Sequence, residues 1–124
     1  LNPPQNKEAE INICCKRFGV EIFRGNRMSH MLSINSNKGK AINALKNYSN
    51  NPNIKIIGLG DSPNDLPLLL NSDYKIVIPG PGGPNLKLIE KLKDHKYTLA
   101  TDPNGYGWKS EINKLINNLV LNKR

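Results

Sequence analysis

Cysteine, aromatic residues, long apolar runs and acidic groups are all scarce in these 124 residues, and each shortage excludes something. The two cysteines, Cys14 and Cys15, are adjacent. Neighbouring side chains on a strand point to opposite faces, which disfavours a disulfide between them. With no second Cys/His group at metal spacing, a zinc site is disfavoured too, leaving buried or half-buried free thiols as the plain expectation. No apolar stretch reaches the roughly 18 residues of a membrane span. The polar opening, Leu1 to Glu10, lacks the apolar core of a secretory signal, so a cytoplasmic protein is the default expectation. Aromatics are 6% of the chain.

Acids are the minority charge, 10 against 18 bases, for a formal net charge of +8. Lysine supplies 14 of the 18 cations, and with abundant Asn and Ile this matches what AT-rich codons favour. The lysines are scattered rather than gathered with aromatics into a stacking platform. Specific nucleic-acid recognition is therefore not expected. A phosphorylated anionic substrate suits the same charge. The length allows one modest domain and not two independent cores.

What is present begins with residues 54 to 65, Ile-Lys-Ile-Ile-Gly-Leu-Gly-Asp-Ser-Pro-Asn-Asp. The apolar run reads as a strand over 54–59 covered on both faces. The strand delivers Asp61 and Asp65 to a loop at its carboxyl end, where open α/β sheets bind ligands. Oxygen donors so placed suit a hard divalent cation. Around it, residues 1–10 read as a flexible lead-in. Strand candidates follow at Ile11–Lys16, Val20–Arg24 and Met28–Ile34, the last two joined as a β-hairpin through a Gly25-Asn26 turn. Asn35, Ser36 and Asn37 offer caps for a helix over Lys38–Tyr48. Beyond the acidic loop come a short helix over 64–71 that tolerates Pro67 only in its first turn, and a strand over Tyr74–Ile78. A Pro/Gly loop over 79–84, a helix over Leu86–Leu92 and a short strand over Tyr97–Ala100 follow. A turn over 102–105 and an amphipathic helix over Trp108–Val120 close the chain. Alternating α and β elements predict a parallel sheet with crossover helices. Only two or three core strands follow Asn37, fewer than the usual five or six.

At Asn37-Lys38-Gly39-Lys40-Ala41 and Gly60-Asp61-Ser62-Pro63-Asn64-Asp65-Leu66-Pro67-Leu68-Leu69, the chain resembles the third and fourth motifs of haloacid-dehalogenase-type phosphatases. Arg24-Gly25-Asn26-Arg27-Met28-Ser29-His30, Pro81-Gly82-Gly83-Pro84 and Gly107-Trp108 narrow the resemblance to the mannosyl-3-phosphoglycerate phosphatase family. The resemblance spans most of residues 11–120. It implies an α/β fold: a partial Rossmann-like parallel sheet over 36–124, the carboxyl-terminal half of a phosphatase core, preceded by the tail of an α+β cap domain over 11–35. It implies magnesium-dependent hydrolysis of a phosphorylated sugar-glycerate through an aspartyl-phosphate. The family's nucleophile and general acid/base come from an Asp-x-Asp motif, and none occurs here. An amino-terminal half is therefore the implied partner, and the chain alone is expected to be inactive.

By the same resemblance, Lys38 neutralises the transferring phosphoryl group, although Asn37 stands where the family usually has Asp. Read without it, Lys38 is a cation in a helix's first turn, an unfavourable place unless an anion lies near. Asp61 is the expected magnesium ligand, and Asp65 either completes the metal site, orients the loop or holds Lys38; its plain alternative is a helix cap. Asn64 is assigned to substrate or the metal's waters. Arg24, Arg27 and His30 are assigned to the glycerate and sugar, the alternative being a solvated hairpin end. Trp108 reads as packing.

Overall fold

Glu8 and Glu10 in the first turn and Lys16 and Arg17 in the last complement a helix dipole, and residues Glu8–Arg17 form helix α1. The computed structural model that shows this describes residues 2–25 and 27–121. The strand expected over Ile11–Lys16 is thus a helix. Strand alternation would have placed Ile11, Ile13 and Cys15 on one face; instead Ile11 and Cys15, four apart, are half-buried while Ile13 is exposed. Both thiols are free, and Cys14, expected at least half-buried, is exposed. A single 3₁₀ turn, Gln5–Lys7, precedes α1, so the helix runs across the boundary drawn after residue 10.

Strands β1 (Val20–Arg24) and β2 (Ser29–Ser33) form the expected antiparallel hairpin. Gly25 N–H closes it on Met28 O at 3.0 Å, whereas Asn26, the other half of the expected turn, lies outside the described residues. The Asn37 side chain accepts from Lys40 N–H at 2.9 Å and starts α2 (Lys38–Tyr48) at its predicted first residue.

The second sheet is parallel, in the order β3 (Ile57–Gly60), β4 (Tyr74–Val77), β5 (Thr98–Leu99). Its crossovers are α3 (Leu66–Leu70), with Pro67 in the first turn, and α4 (Leu86–Leu92). Strand β3 starts three residues later than expected because Asp73 captures the approach to it. Its carboxylate accepts from Ile56 N–H at 2.9 Å, and the N–H groups of Asp73 and Tyr74 both bond Ile56 O at 3.0 Å. The last helix, α5 (Asn104–Leu121), takes in Asn104 and Gly105 of the turn expected over 102–105.

Apolar side chains divide between the two faces of this sheet. Leu69, Val77, Leu88 and Leu92 are fully buried under α3 and α4. On the other face Ile76, Ile78 and Ala100 are buried, with Ile112 of α5 packed on them. Ile57 and Leu59 reach that second cluster but are only half-buried, so β3 is not covered on both faces as the sequence led us to expect. Among the described residues no helix is long and apolar enough to cross a membrane.

Candidate active site

Strand β3 ends at Gly60, where the chain doubles back so tightly that a Cβ there would lie 2.5 Å from the Cβ of Asp65. Only glycine lets the acidic loop fold under its own strand. Residues Pro63–Asp65 form a 3₁₀ turn after Ser62, tied by Asp65 N–H to Ser62 O at 2.9 Å, with the Ser62 hydroxyl on the Asn64 side chain. Asp65 is thereby buried, and its two oxygens face different partners. Oδ2 accepts from Asp61 N–H at 3.1 Å, and Oδ1 accepts from the Lys38 ammonium across the gap to α2.

This explains how Lys38 is tolerated at a helix N-terminus: the anionic partner is Asp65, brought from 27 residues away. Close approach of α2 to α3 makes the contact possible. Gly39 is buried, and a Cβ on it would stand 2.6 Å from Pro67 O and from Asn71 Nδ2. Asp61 sits above this pair with its carboxyl pushed up from the ordinary aspartate range. Burial is the largest cause, followed by a hydrogen bond from the side chain to Asp65 and repulsion by it, partly offset by Ser62 and by the residue's own N–H.

Two clefts meet the constellation. One, of about 320 Å³, lies at the carboxyl ends of β3 and β4 and is lined by Asp61, Asp65, Pro79, Asn104 and Trp108, among others. The second, about 230 Å³, lies between the hairpin and α2 and is lined by Phe23, His30, Leu32, Asn37, Lys38 and Asn64. The Asp65–Lys38 pair stands between them, with Asp65 on one and Lys38 on the other.

Of the seven residues singled out in the sequence, five gather here: Lys38, Asp61, Asn64, Asp65 and His30. Arg24 does not. In the hairpin register Arg24 pairs with Ser29 and Phe23 with His30, and adjacent pairs face opposite ways, so Arg24 is on the other face from His30. There its guanidinium meets Glu8 of α1 and, at 3.5 Å, Pro3 O. Arg27 is exposed near the hairpin tip. Trp108, expected to serve packing, is 52% exposed and borders Asp61. Sequence reasoning also passed over Ser62, whose only signal is its place directly after Asp61. Phe23 and Leu32 were missed as cleft walls, though alternation along the hairpin could have found them.

Among the described residues no three His, Cys, Asp or Glu side chains converge as metal donors. The Asp61–Asp65 pair does fit part of a magnesium site, since that ion takes one or two carboxylates and fills its other positions with water and phosphate oxygens. A carboxyl whose charge is disfavoured by burial and by a like neighbour is also the kind a divalent cation relieves.

The haloacid dehalogenase-like hydrolase profile matches residues 5–91. Over 115 residues the chain is 31% identical to a protein of Persephonella marina named glucosyl-3-phosphoglycerate/mannosyl-3-phosphoglycerate phosphatase. That alignment covers 89% of this chain and 40% of the relative, so the chain spans less than half the relative's length. No solved structure matches it.

Proposed function

The chain belongs to the haloacid dehalogenase-like hydrolase family, and from that premise we propose that it furnishes part of a magnesium-dependent phosphatase for mannosyl-3-phosphoglycerate or glucosyl-3-phosphoglycerate. The observation that carries this reading is the Lys38–Asp65–Asp61 constellation at the carboxyl end of β3. Asp61, with Asp65 beside it, would hold the cation, which supplies charge neutralisation and alignment of the phosphoryl group. Lys38 places a positive charge beside the same loop, where it stabilises negative charge growing on phosphoryl oxygens. Asp65 is a positioning residue: it fixes the Lys38 ammonium and the Asp61 backbone at once. His30 and Asn64 line the adjoining cleft, where the sugar-glycerate part would lie. Arg24 takes no direct part in this scheme, because it is turned to Glu8.

Hydrolysis needs a nucleophilic carboxylate that none of these residues supplies, and the chain holds no Asp-x-Asp motif. We therefore assign that part to an additional amino-terminal portion, in the same polypeptide or a separate one. The test is phosphate release from both glycosyl-3-phosphoglycerates by the chain alone, and by the chain mixed with the amino-terminal portion of the Persephonella relative. Magnesium-dependent release on mixing, lowered at least 100-fold by Lys38→Ala or Asp61→Asn, is expected. A mixture that forms a complex yet stays inert would show a non-catalytic module instead. Preference for another sugar phosphate would move the substrate assignment within the family.

A further inference from the structure

The largest cleft among those described, about 430 Å³, is at the other end of the sheet from Asp61. It opens where β4 and β5 begin and runs along α5, bounded by Tyr74 and Ile76 of β4 and Leu115 of α5; Tyr97 touches its edge, its ring packing on the Leu69–Leu92 cluster of the opposite face. Tyr74, Ile76 and Leu115 supply apolar and aromatic walls, and the volume falls within the roughly 300–1,000 Å³ usual for small-molecule sites.

Its charges are unequal. Lys96 and Lys114 line it against two acids, Asp73 and Glu111, whereas Lys75, between Tyr74 and Ile76 on the strand, turns its ammonium to Ser72 O at 2.7 Å on the other face of the sheet. Both acids already have partners. Asp73 accepts from Ile56 N–H and lies 3.5 Å from each of Lys46 and Lys55, and Glu111 is 2.7 Å from the Lys114 ammonium. With Asp73 matched by Lys46 and Lys55, and Glu111 by Lys114, Lys96 is the surplus positive charge. Glu111 is itself informative: it is 7% exposed, on the inward side of α5 next to Ile112, where an apolar residue would serve packing at no desolvation cost. A buried carboxylate there holds Lys114 at the cleft, with its ammonium end left half in solvent.

We infer that this cleft is a binding site for a small organic anion, one joining a sulfonate, phosphate or carboxylate to an aromatic or aliphatic body. Lys96 and Lys114 take the charge, and Tyr74, Ile76 and Leu115 take the body. Inorganic anions lack the second feature and bind far more weakly. The site is independent of the hydrolase reading, since none of its lining residues belongs to the Asp61–Lys38 constellation.

The test is an amide NMR titration of the chain with 8-anilinonaphthalene-1-sulfonate, and in parallel with inorganic phosphate. Saturable shifts centred on Tyr74, Lys96 and Asn118 are expected with the first probe and not with phosphate. Lys96→Glu, which reverses an exposed charge, is expected to weaken binding about tenfold or more. Asn118→Trp, which fills the rim from an exposed position, is expected to abolish it. Shifts confined to Ile57, Leu59 and Trp108, equal shifts with phosphate, or indifference to both substitutions would each overturn the assignment.

Discussion

Asp61 costs the fold something when ionised, and the sign of that cost can be measured. Its proton is held more tightly in the folded chain than in the unfolded one, chiefly through burial and then through Asp65. The stability linked to that proton is present at low pH and is lost as pH rises through the raised folded value. At neutral pH the ionised carboxylate therefore works against folding unless a cation sits on it. Asp61→Asn removes the charge and leaves most of the shape. Without divalent cations the variant should melt higher than the parent by one to a few degrees, roughly what a fraction of a kcal/mol, discounted for the exposure of Asp61, gives in a chain this size. Adding magnesium should raise the melting temperature of the parent and leave the variant where it is. A variant that melts lower than the parent in chelator would show that the carboxylate is held by favourable contacts, and the cation argument would fail.

The elements are tied to one another by contacts that reverse ordinary expectations. Glycine to alanine inside a helix normally stabilises by nearly 1 kcal/mol. Gly39 of α2 should do the opposite, because the added methyl meets the backbone of Pro67 and the amide of Asn71. Gly39→Ala is expected to lose about 1–3 kcal/mol in urea unfolding, the usual range for overpacking. It should also part Lys38 from Asp65, since α2 must move away from α3. Asp73 makes a second such tie, joining the approach to β3 with the start of β4. The Ile56 N–H, and then Lys46 and Lys55, hold its carboxyl below the ordinary aspartate range. That contribution is present above the unfolded value of about 3.9 and is lost as pH falls through the lower folded value. Asp73→Ala should cost about 1 kcal/mol at pH 7, discounted for partial exposure. The parent–variant difference should shrink toward zero in acid; a constant difference down to pH 2 would assign the loss to packing alone. These long-range ties also mark where the sequence was legible. Helices α2 and α4 and strand β1 fall on the residues that periodicity and capping indicated, as their signals are local. The acidic loop was legible for the same reason, as a strand followed by Gly and Asp. The start of β3 depends on Asp73, 17 residues away, and the facing of Arg24 depends on pairing register. Neither has a local signal. Helix α1 was misread because two isoleucines outweighed the charge pattern of its ends.

At the scale of the molecule, the weak place is one edge. Among the described residues β3 pairs only with β4. Ile56 O and Gly60 O are turned to β4, so alternation turns the backbone groups of Ile57 and Leu59 outward. Beside them α5 leaves Trp108, Ile116 and Leu119 at least one-third exposed. An unpaired parallel edge next to uncovered apolar side chains is a template for association. Net charge of +8 opposes it, but at 0.15 M salt that repulsion is screened beyond about 8 Å. The chain on its own should therefore self-associate as its concentration rises, and should unfold over a broad temperature range. A lysine on the strand places a charge in the nascent interface, the device by which natural edges avoid pairing. Ile57→Lys, whose stem can stay on the Ile76 cluster while its ammonium reaches solvent from this half-buried position, should keep the chain at its monomer mass of 13.8 kDa in sedimentation at concentrations where the parent associates. The same substitution should weaken any complex with an amino-terminal portion, because both events compete for one edge. A parent that sediments as a single monomer at all concentrations and unfolds sharply would mean that β3 and α5 are sufficient as they stand.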